Sequence, residues 1–257
     1  MTSDAPRVAL VTGAAGDIGR SLCTLLEKRG FVVGAWDVVD RPSDHPTEHW
    51  DVLDLTVDVP GASIERLSRL GPLSSVFHVV GGSDLDELGE PDPAKVSLEV
   101  FRRTVGLNLV SAYAIVRATV DLLRRTVGDR SFTFVSSTNS LGGYGAPGYS
   151  AAKAGLHGLT AALAVPLGQD GIRVNTVALG TTRTANYERL GTALGRKTDF
   201  ERIGSLFPRG SVLSPAEAAI ALMSVGLDNP AISGQVIVAD AAQHRVRRRP
   251  ADIETGR

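Results

Sequence analysis

An α/β domain with a parallel sheet covered by helices on both faces is the fold class this sequence predicts, and three observations carry it. Short β-branched runs alternate with longer helical patterns, which is the sequence form of repeated βαβ units. The 257 residues are 43% apolar, enough for one large core, and a single α/β domain of this length is common. No low-complexity linker and no self-similar repeat asks for a boundary, so residues 1–257 are expected to form one domain.

The elements follow in order. Val8 to Val11 is a first strand, and Ile18 to Arg29 a helix with Ile18, Leu22, Leu25 and Leu26 on one stripe and Gly30 as its stop signal. Phe31 to Trp36 is a strand, Ile64 to Leu70 a helix, Ser75 to Val80 a strand, and Leu98 to about Thr126 a long helical region. Ser131 to Ser136 is the next strand, Tyr149 to Leu167 an Ala- and Leu-rich helix, and Ile172 to Val177 a strand apolar enough for the sheet interior. Pro215, placed at a helix start after Ser214, opens a last helix, and Gln235 to Ala239 is the final strand. Two segments break the alternation: the acidic loop Gly81 to Pro93 and the weakly periodic stretch Thr181 to Ser211. Both follow strands at their C-terminal ends, where open α/β sheets bind ligands.

Composition excludes several classes. Lys and Arg (27) nearly balance Asp and Glu (28) for a net charge of -1, which argues against a nucleic-acid binder. Cys23, the single cysteine, excludes an intramolecular disulfide framework and a Cys-rich zinc site, and it reads as a small apolar residue on a helix. His45, His49, His78 and His244 lack metal-ligand spacing with nearby acids, so no metal is expected. The start has no apolar h-region behind a basic segment, and no stretch approaches ~18 uninterrupted apolar residues, so the expectation is a soluble, cytoplasmic protein. Arg245, Arg247, Arg248 and Arg249 lie in a short basic tail over 243–257, read as solvated or subunit-contacting.

The first strand runs into Thr12-Gly13-Ala14-Ala15-Gly16-Asp17-Ile18-Gly19, where a helix begins. Glycines at a strand-to-helix turn permit a tight bend and close approach of backbone to a pyrophosphate, whose charge the helix N-terminus favours. Asp37 ends the second strand 24 residues past Gly13, where an acid accepts hydrogen bonds from a ribose diol and repels a 2′-phosphate. Gly16 and Val38 are uncharged, and the cofactor is therefore read as NAD(H), with Arg41 the one nearby cation that speaks for NADP(H).

Tyr149 and Lys153 project from one helix face a turn apart. A cation beside a phenol favours the phenolate and pulls its pKa down from ~10, as acid-base work on an alcohol or carbonyl requires. Ser136 and Ser137 end the preceding strand, and Asn108 lies in the long helical region.

Taken in order, these residues resemble the short-chain dehydrogenase/reductase (SDR) family. Its TGxxxGxG turn is recognisable in Thr12 to Gly19, its helix asparagine in Asn108, its serine in the Ser136-Ser137 pair, and its YxxxK pair in Tyr149 to Lys153. Arg173-Val174-Asn175, Gly180 to Thr184, Ser214 to Glu217 and Ser233-Gly234-Gln235 are similar too, so the resemblance runs from about Arg7 to Ala242. It implies a Rossmann-like doubly wound fold with a seven-stranded parallel sheet, a bound nicotinamide cofactor, and hydride transfer at a substrate carbinol carbon. It implies Tyr149 as general acid-base, Lys153 lowering its pKa and holding the nicotinamide ribose, a serine orienting the substrate oxygen, and Asn108 holding a water in the proton relay. It also puts Asp51 and Val52 at the adenine, Ile18 at the pyrophosphate, Thr182 at the carboxamide and Thr184 at a phosphate, with Gly13, Asp17, Asp37 and Gly81 along the cofactor. A homotetramer or homodimer, built in part through the Tyr149 helix and the long helix before it, is implied as well.

The serine is Ser136 if the frequent spacing of 13 residues before Tyr149 holds, and Ser137 if the second residue of the strand-end pair is matched; Ser137 is preferred. Three departures from the family pattern stand out. Asp17 replaces the middle glycine of the turn and requires either a non-helical backbone or a side chain turned to solvent. Val79-Val80-Gly81-Gly82 replaces Asn-Asn-Ala-Gly, so polar side-chain bonds to neighbouring strands are missing. Leu179 replaces a proline before Gly180, loosening the turn that carries Thr182 and Thr184.

The reading is an NAD-dependent SDR oxidoreductase of a secondary alcohol or its ketone. The alternatives are a catalytically silent nucleotide-binding regulator or scaffold on the same fold, and a ketoacyl-type carbonyl reductase. Ser137, Leu141, Tyr144, Tyr149 and Tyr187 are candidates for the substrate pocket, with Asn186 beside Tyr187. Residues 181–212 form the expected substrate cover; its six basic side chains against three acidic ones fit either an anionic substrate or a solvated lid. His157 continues the Tyr149 face but lies two turns from the phenol, and reads as packing or a subunit contact.

Overall fold

The computed structural model describes residues 6–57, 59–142 and 146–245. Its centre is one seven-stranded parallel sheet: β1 (Val8–Thr12), β2 (Val32–Asp37), β3 (His49–Val52), β4 (Leu73–His78), β5 (Arg130–Ser137), β6 (Ile172–Leu179) and β7 (Val236–Ala239), in the order β3-β2-β1-β4-β5-β6-β7. The chain begins in the middle, winds to one edge, returns to place β4 beside β1, and winds to the other edge. That reversal opens a crevice beyond the C-terminal ends of β1 and β4.

The helices are α1 (Asp17–Lys28), α2 (Gly61–Arg69), α3 (Leu85–Gly89), α4 (Leu98–Val105), α5 (Ser111–Arg125), α6 (Asn139–Gly142), α7 (Pro147–Gln169), α8 (Ala185–Ala193), α9 (Phe200–Ser205) and α10 (Pro215–Gly226), with a π-helical turn, Gly106–Val110, between α4 and α5. Strand side chains alternate between faces, so the central strands feed two cores. Leu10, Phe132, Phe134 and Val174 pack with Ile115, Leu123 and Leu156 on the side of α5 and α7, while Ala9, Val11, Phe77 and Val177 pack with Leu22, Leu26, Leu222 and Met223 on the side of α1 and α10. Ser214 and Glu217 close a capping box at the start of α10, with Pro215 in its first turn, as the sequence predicts.

The run Leu98–Arg125 is long and apolar enough to cross a membrane by length and composition; here Ile115, Val116 and Leu123 face the core beneath the sheet. Three features were not legible as elements. The edge strand β3 has four residues and a mixed His-Trp-Asp-Val sequence without alternation. The acidic loop Gly81 to Pro93 holds α3, and Thr181 to Ser211 holds α8 and α9. A buried arginine ties the sheet to its far end: Arg173 in β6 pairs with Asp129 and donates to the carbonyls of Val225 (2.9 Å), Gly226 (2.7 Å) and Ile232 (3.1 Å).

Candidate active site

The crevice is built first by glycine. Gly13 has φ +69°, and a Cβ there would stand 2.9 Å from the Val80 nitrogen, while one on Gly19 would collide with the Gly13 carbonyl. Bare backbone therefore lets β1 turn into α1 against β4, leaving the first-turn amides of α1, Ile18 among them, at the crevice. Asp37 ends β2 facing that turn: its carboxylate accepts from the Ala15 N–H (2.9 Å) and the Val38 N–H (2.7 Å). Arg41 is turned elsewhere, donating to the carbonyls of Thr47 (2.6 Å) and His45 (2.7 Å). Val52, in register with Asp37, is exposed at the end of β3. The Asp51 carboxylate is bound by Arg66 and Ser63 at a cavity of about 300 Å³ between β3 and α2.

The reacting end is assembled from β5, α7 and the π-helical turn. The Tyr149 side chain hydrogen-bonds that of Ser137. Ser136 faces the other way, donating to the Lys153 carbonyl (2.9 Å) and lying 3.2 Å from Nε2 of His157, so its hydroxyl and the His157 ring are packing contacts beneath α7. Lys153 is 2% exposed; its ammonium donates to the Val135 carbonyl (2.8 Å) and stands 5.6 Å from the centre of the Tyr149 ring. Burial draws Lys153 down to about 7 and pushes the Tyr149 phenol above its ordinary value, against the lowering effect of its bond to Ser137. The expectation that the cation pulls the phenol down is therefore not met in this state. Both groups are desolvated, so the charged form of each is disfavoured.

Asn108, fully buried in the π-helical turn, clamps the chain after β4: its oxygen accepts the Gly82 N–H and its amide donates to the carbonyls of Gly82 and Thr104, each at 2.9 Å. Gly81, at φ +148°, threads between these groups, since a Cβ there would stand 2.5 Å from Asn108 Oδ1 and 2.6 Å from Lys153 Nζ. One glycine thus brings the backbone against both buried polar side chains.

The three departures each find a partner. Asp17 is neither non-helical nor free in solvent: it is the first residue of α1 and its carboxylate accepts the Ala185 N–H at 2.7 Å. The polar cross-links of β4 are present, displaced by one residue, because His78 lies 2.9 Å from Thr12 Oγ1 on β1 and 3.1 Å from Ser111 Oγ on α5. The turn after Leu179 is not loose. Thr181 is bound by Gln243 at its N–H (2.7 Å) and hydroxyl (2.9 Å), and Thr182 bridges to Leu213 beside it.

Residues 7–194 match the family model for short chain dehydrogenases. The chain belongs to the short-chain dehydrogenase/reductase family. It is 32% identical over 243 residues to an uncharacterized oxidoreductase of Schizosaccharomyces pombe, covering 91% of this chain and 89% of that protein. It is 30% identical to an acetoacetyl-CoA reductase of Rhizobium meliloti, covering 93% and 98%. A solved oxidoreductase of the same family from Burkholderia thailandensis superposes with a TM-score of 0.79 at 26% identity, covering 98% of each chain. The SDR family binds a nicotinamide cofactor and acts on small molecules.

In this SDR chain the segment after β6 opens with Thr182, whose hydroxyl donates to the Gly180 carbonyl (3.0 Å), and Thr184, whose hydroxyl caps α8 through the Tyr187 N–H. Tyr187 packs its ring on Phe200, 5.4 Å between centres. Asn186 reaches toward the Gly82 backbone, its Nδ2 3.6 Å from where a Cβ on that glycine would sit. The arginines of residues 181–212 are partly committed: Arg183 pairs with Glu201, Arg209 with Glu217 of α10, and Arg189 donates to Asn186. Leu141 is exposed on α6; Tyr144 lies outside the described residues.

Sequence reasoning missed Glu87. This carboxylate from α3 is 2% exposed and accepts the N–H groups of Gly148 and Tyr149 at the start of α7. Burial pushes its carboxyl up. Only the acidity of its loop marked it, and acids in loops are ordinary.

Proposed function

We propose that this SDR enzyme is an NAD(H)-dependent oxidoreductase of a secondary alcohol or its ketone, with Tyr149 as general acid-base. The observation that carries the reading is the meeting of four groups around one turn: Ser137 on Tyr149, with Lys153 and Asn108 both against Gly81. The residues also fit a dinucleotide. Gly13 and Gly19 let the turn close against β4 and α1 where a Cβ would strike backbone, and the first-turn amides of α1 suit a pyrophosphate.

The bound nicotinamide supplies the hydride acceptor or donor. Ser137 orients the substrate oxygen, and Tyr149 takes its proton in oxidation or returns one in reduction. Lys153, once charged, stabilises the phenolate, and its depressed value of about 7 lets it exchange a proton near neutrality. Asn108 fixes the floor at Gly82. NAD(H) preference is supported by Asp37 at the end of β2 and by the commitment of Arg41 to loop carbonyls, which removes the cation a 2′-phosphate needs. A second reading, reduction of a 3-oxoacyl thioester, is favoured by the likeness to the acetoacetyl-CoA reductase. A silent scaffold is disfavoured by the repaired departures at Asp17, His78 and Leu179.

The test is titration with NADH and NADPH side by side, then turnover on secondary alcohols, hydroxy acids, sugars and 3-oxoacyl thioesters. NADH should bind at least ~10-fold tighter than NADPH, one charge contact's worth, and Asp37→Ala should erase the difference. Tyr149→Phe should cost ~10³-fold or more in turnover with NADH affinity unchanged. Unchanged turnover in that variant sinks the mechanism, and equal affinity for the two nucleotides in the wild type sinks the cofactor assignment.

A further inference from the structure

Asp17 stands in the first turn of α1, and its carboxylate oxygen accepts the N–H of Ala185, a residue 168 positions away that opens α8. Two helix N-termini converge on one carboxylate. Each carries partial positive charge, so the contact is favourable for both ends. The same two ends flank the dinucleotide turn, with Ile18 following Asp17 on one side and Thr184 preceding Ala185 on the other. The other contacts of α8 are softer. Asn186 approaches Gly82, Leu194 just past the helix approaches Gly89 (3.6 Å to a Cβ there), and Tyr187 rests on Phe200. Among the described side-chain contacts that α8 makes with other elements, Asp17 brings the charge-assisted hydrogen bond, and it comes from the glycine turn after β1.

We propose that Asp17 is a positioning residue that latches the substrate cover, through the start of α8, onto the dinucleotide turn, and that it makes cover ordering and cofactor affinity compete. The second half rests on the nicotinamide reading given above. A pyrophosphate held on the amides of α1 would stand near the Asp17 carboxylate, where like charges would repel and both would seek the positive end of α8. An acid in this place therefore holds the cover down while weakening the grip on the cofactor. An uncharged residue reverses both effects. An Asp that merely favours the dipole of α1 predicts changes in α1 alone.

The experiment uses the full chain as wild type, Asp17→Asn and Asp17→Gly. Amide hydrogen exchange, measured without nucleotide, is compared over 183–194, α1 and β5. NADH and NADPH are then titrated by protein fluorescence. Exchange over 183–194 should rise ~10-fold in Asp17→Gly and less in Asp17→Asn, which keeps an acceptor oxygen, with β5 unmoved. NADH should bind about 3- to 10-fold tighter in both variants. Exchange over 183–194 within two-fold (about 0.4 kcal/mol) of wild type in both variants overturns the latch. NADH affinity unchanged or weaker in both overturns the competition. If no protein in the series binds either nucleotide, the functional reading falls and takes the competition with it, while the exchange data still decide the latch.

Discussion

His78 is a buried imidazole whose two nitrogens are both used, toward Thr12 on β1 and Ser111 on α5. Ser111 Oγ donates to the Leu107 carbonyl (2.5 Å), so Nε2 of His78 donates to it, while Nδ1 faces a Thr12 hydroxyl able to accept or donate. Burial, with the charge of Lys153 added, holds the imidazole down to about 3. An unfolded histidine titrates at ~6.5, so below that pH the unfolded chain binds a proton that the native state refuses. The stability His78 contributes is fully present above ~6.5 and is lost as pH falls toward about 3. Urea midpoints should therefore fall from pH 7 to pH 5 in the wild type and fall less steeply in His78→Gln, which starts lower at pH 7. Equal slopes in the two proteins would locate the acid sensitivity elsewhere. His157, depressed by its own burial, leaves a residual slope of the same sign.

At the scale of elements, the helix that carries Tyr149 opens without a cap of its own. Ala146 precedes it at φ +34°, a left-handed conformation unfavourable for alanine, and donates no side chain to the exposed amides. The cap comes from α3 instead, where Glu87 takes two of those amides. Glu87→Ala should lower unfolding free energy by about 2 kcal/mol, because a buried and a part-buried backbone donor lose their acceptor, and Glu87→Gln by less. Equal losses in urea unfolding would show that the negative charge of Glu87, not an acceptor of its shape, is what α3 provides. This long-range cap explains what was legible and what was not. Tyr149 and Lys153 are four residues apart on a helix, so their meeting is written into local geometry. Glu87 and Tyr149 lie 62 residues apart and meet only through the packing of α3 and α4 against α7. The same holds for Asp17 and Ala185: the sequence marks Asp17 as a departure, but its partner is set by where α8 lands. The edge strand β3 escaped for a different reason, since four mixed residues carry no period.

For the whole molecule, parallel strand order places all seven C-terminal ends along one rim, and this was readable because apolar runs alternating with helices admit few other solutions. What holds the β6 end of the sheet to its neighbours was not readable. The guanidinium of Arg173 pairs with Asp129 before β5, collects the carbonyls that end α10, and reaches Ile232 ahead of β7. Arg173→Ala should cost about 3 to 5 kcal/mol, since it strands a carboxylate and several carbonyls, and Arg173→Lys should recover only part, because an ammonium lacks the planar fork. Thermal unfolding of the two variants checks this, and a lysine variant as stable as wild type would reduce the site to a plain charge. The π-helical turn Gly106–Val110 has a bearing on how this chain tolerates change in length. A π turn holds one residue more than the α-helix around it, so it works as a phase shifter between α4, which packs on α7, and α5, which packs under the sheet. Deleting a single residue there would restore a continuous helix and rotate everything before it by ~100°, swinging Asn108 off Gly82 and α4 off α7. The loops at the rim can lengthen or shorten as substrates change; this stretch cannot.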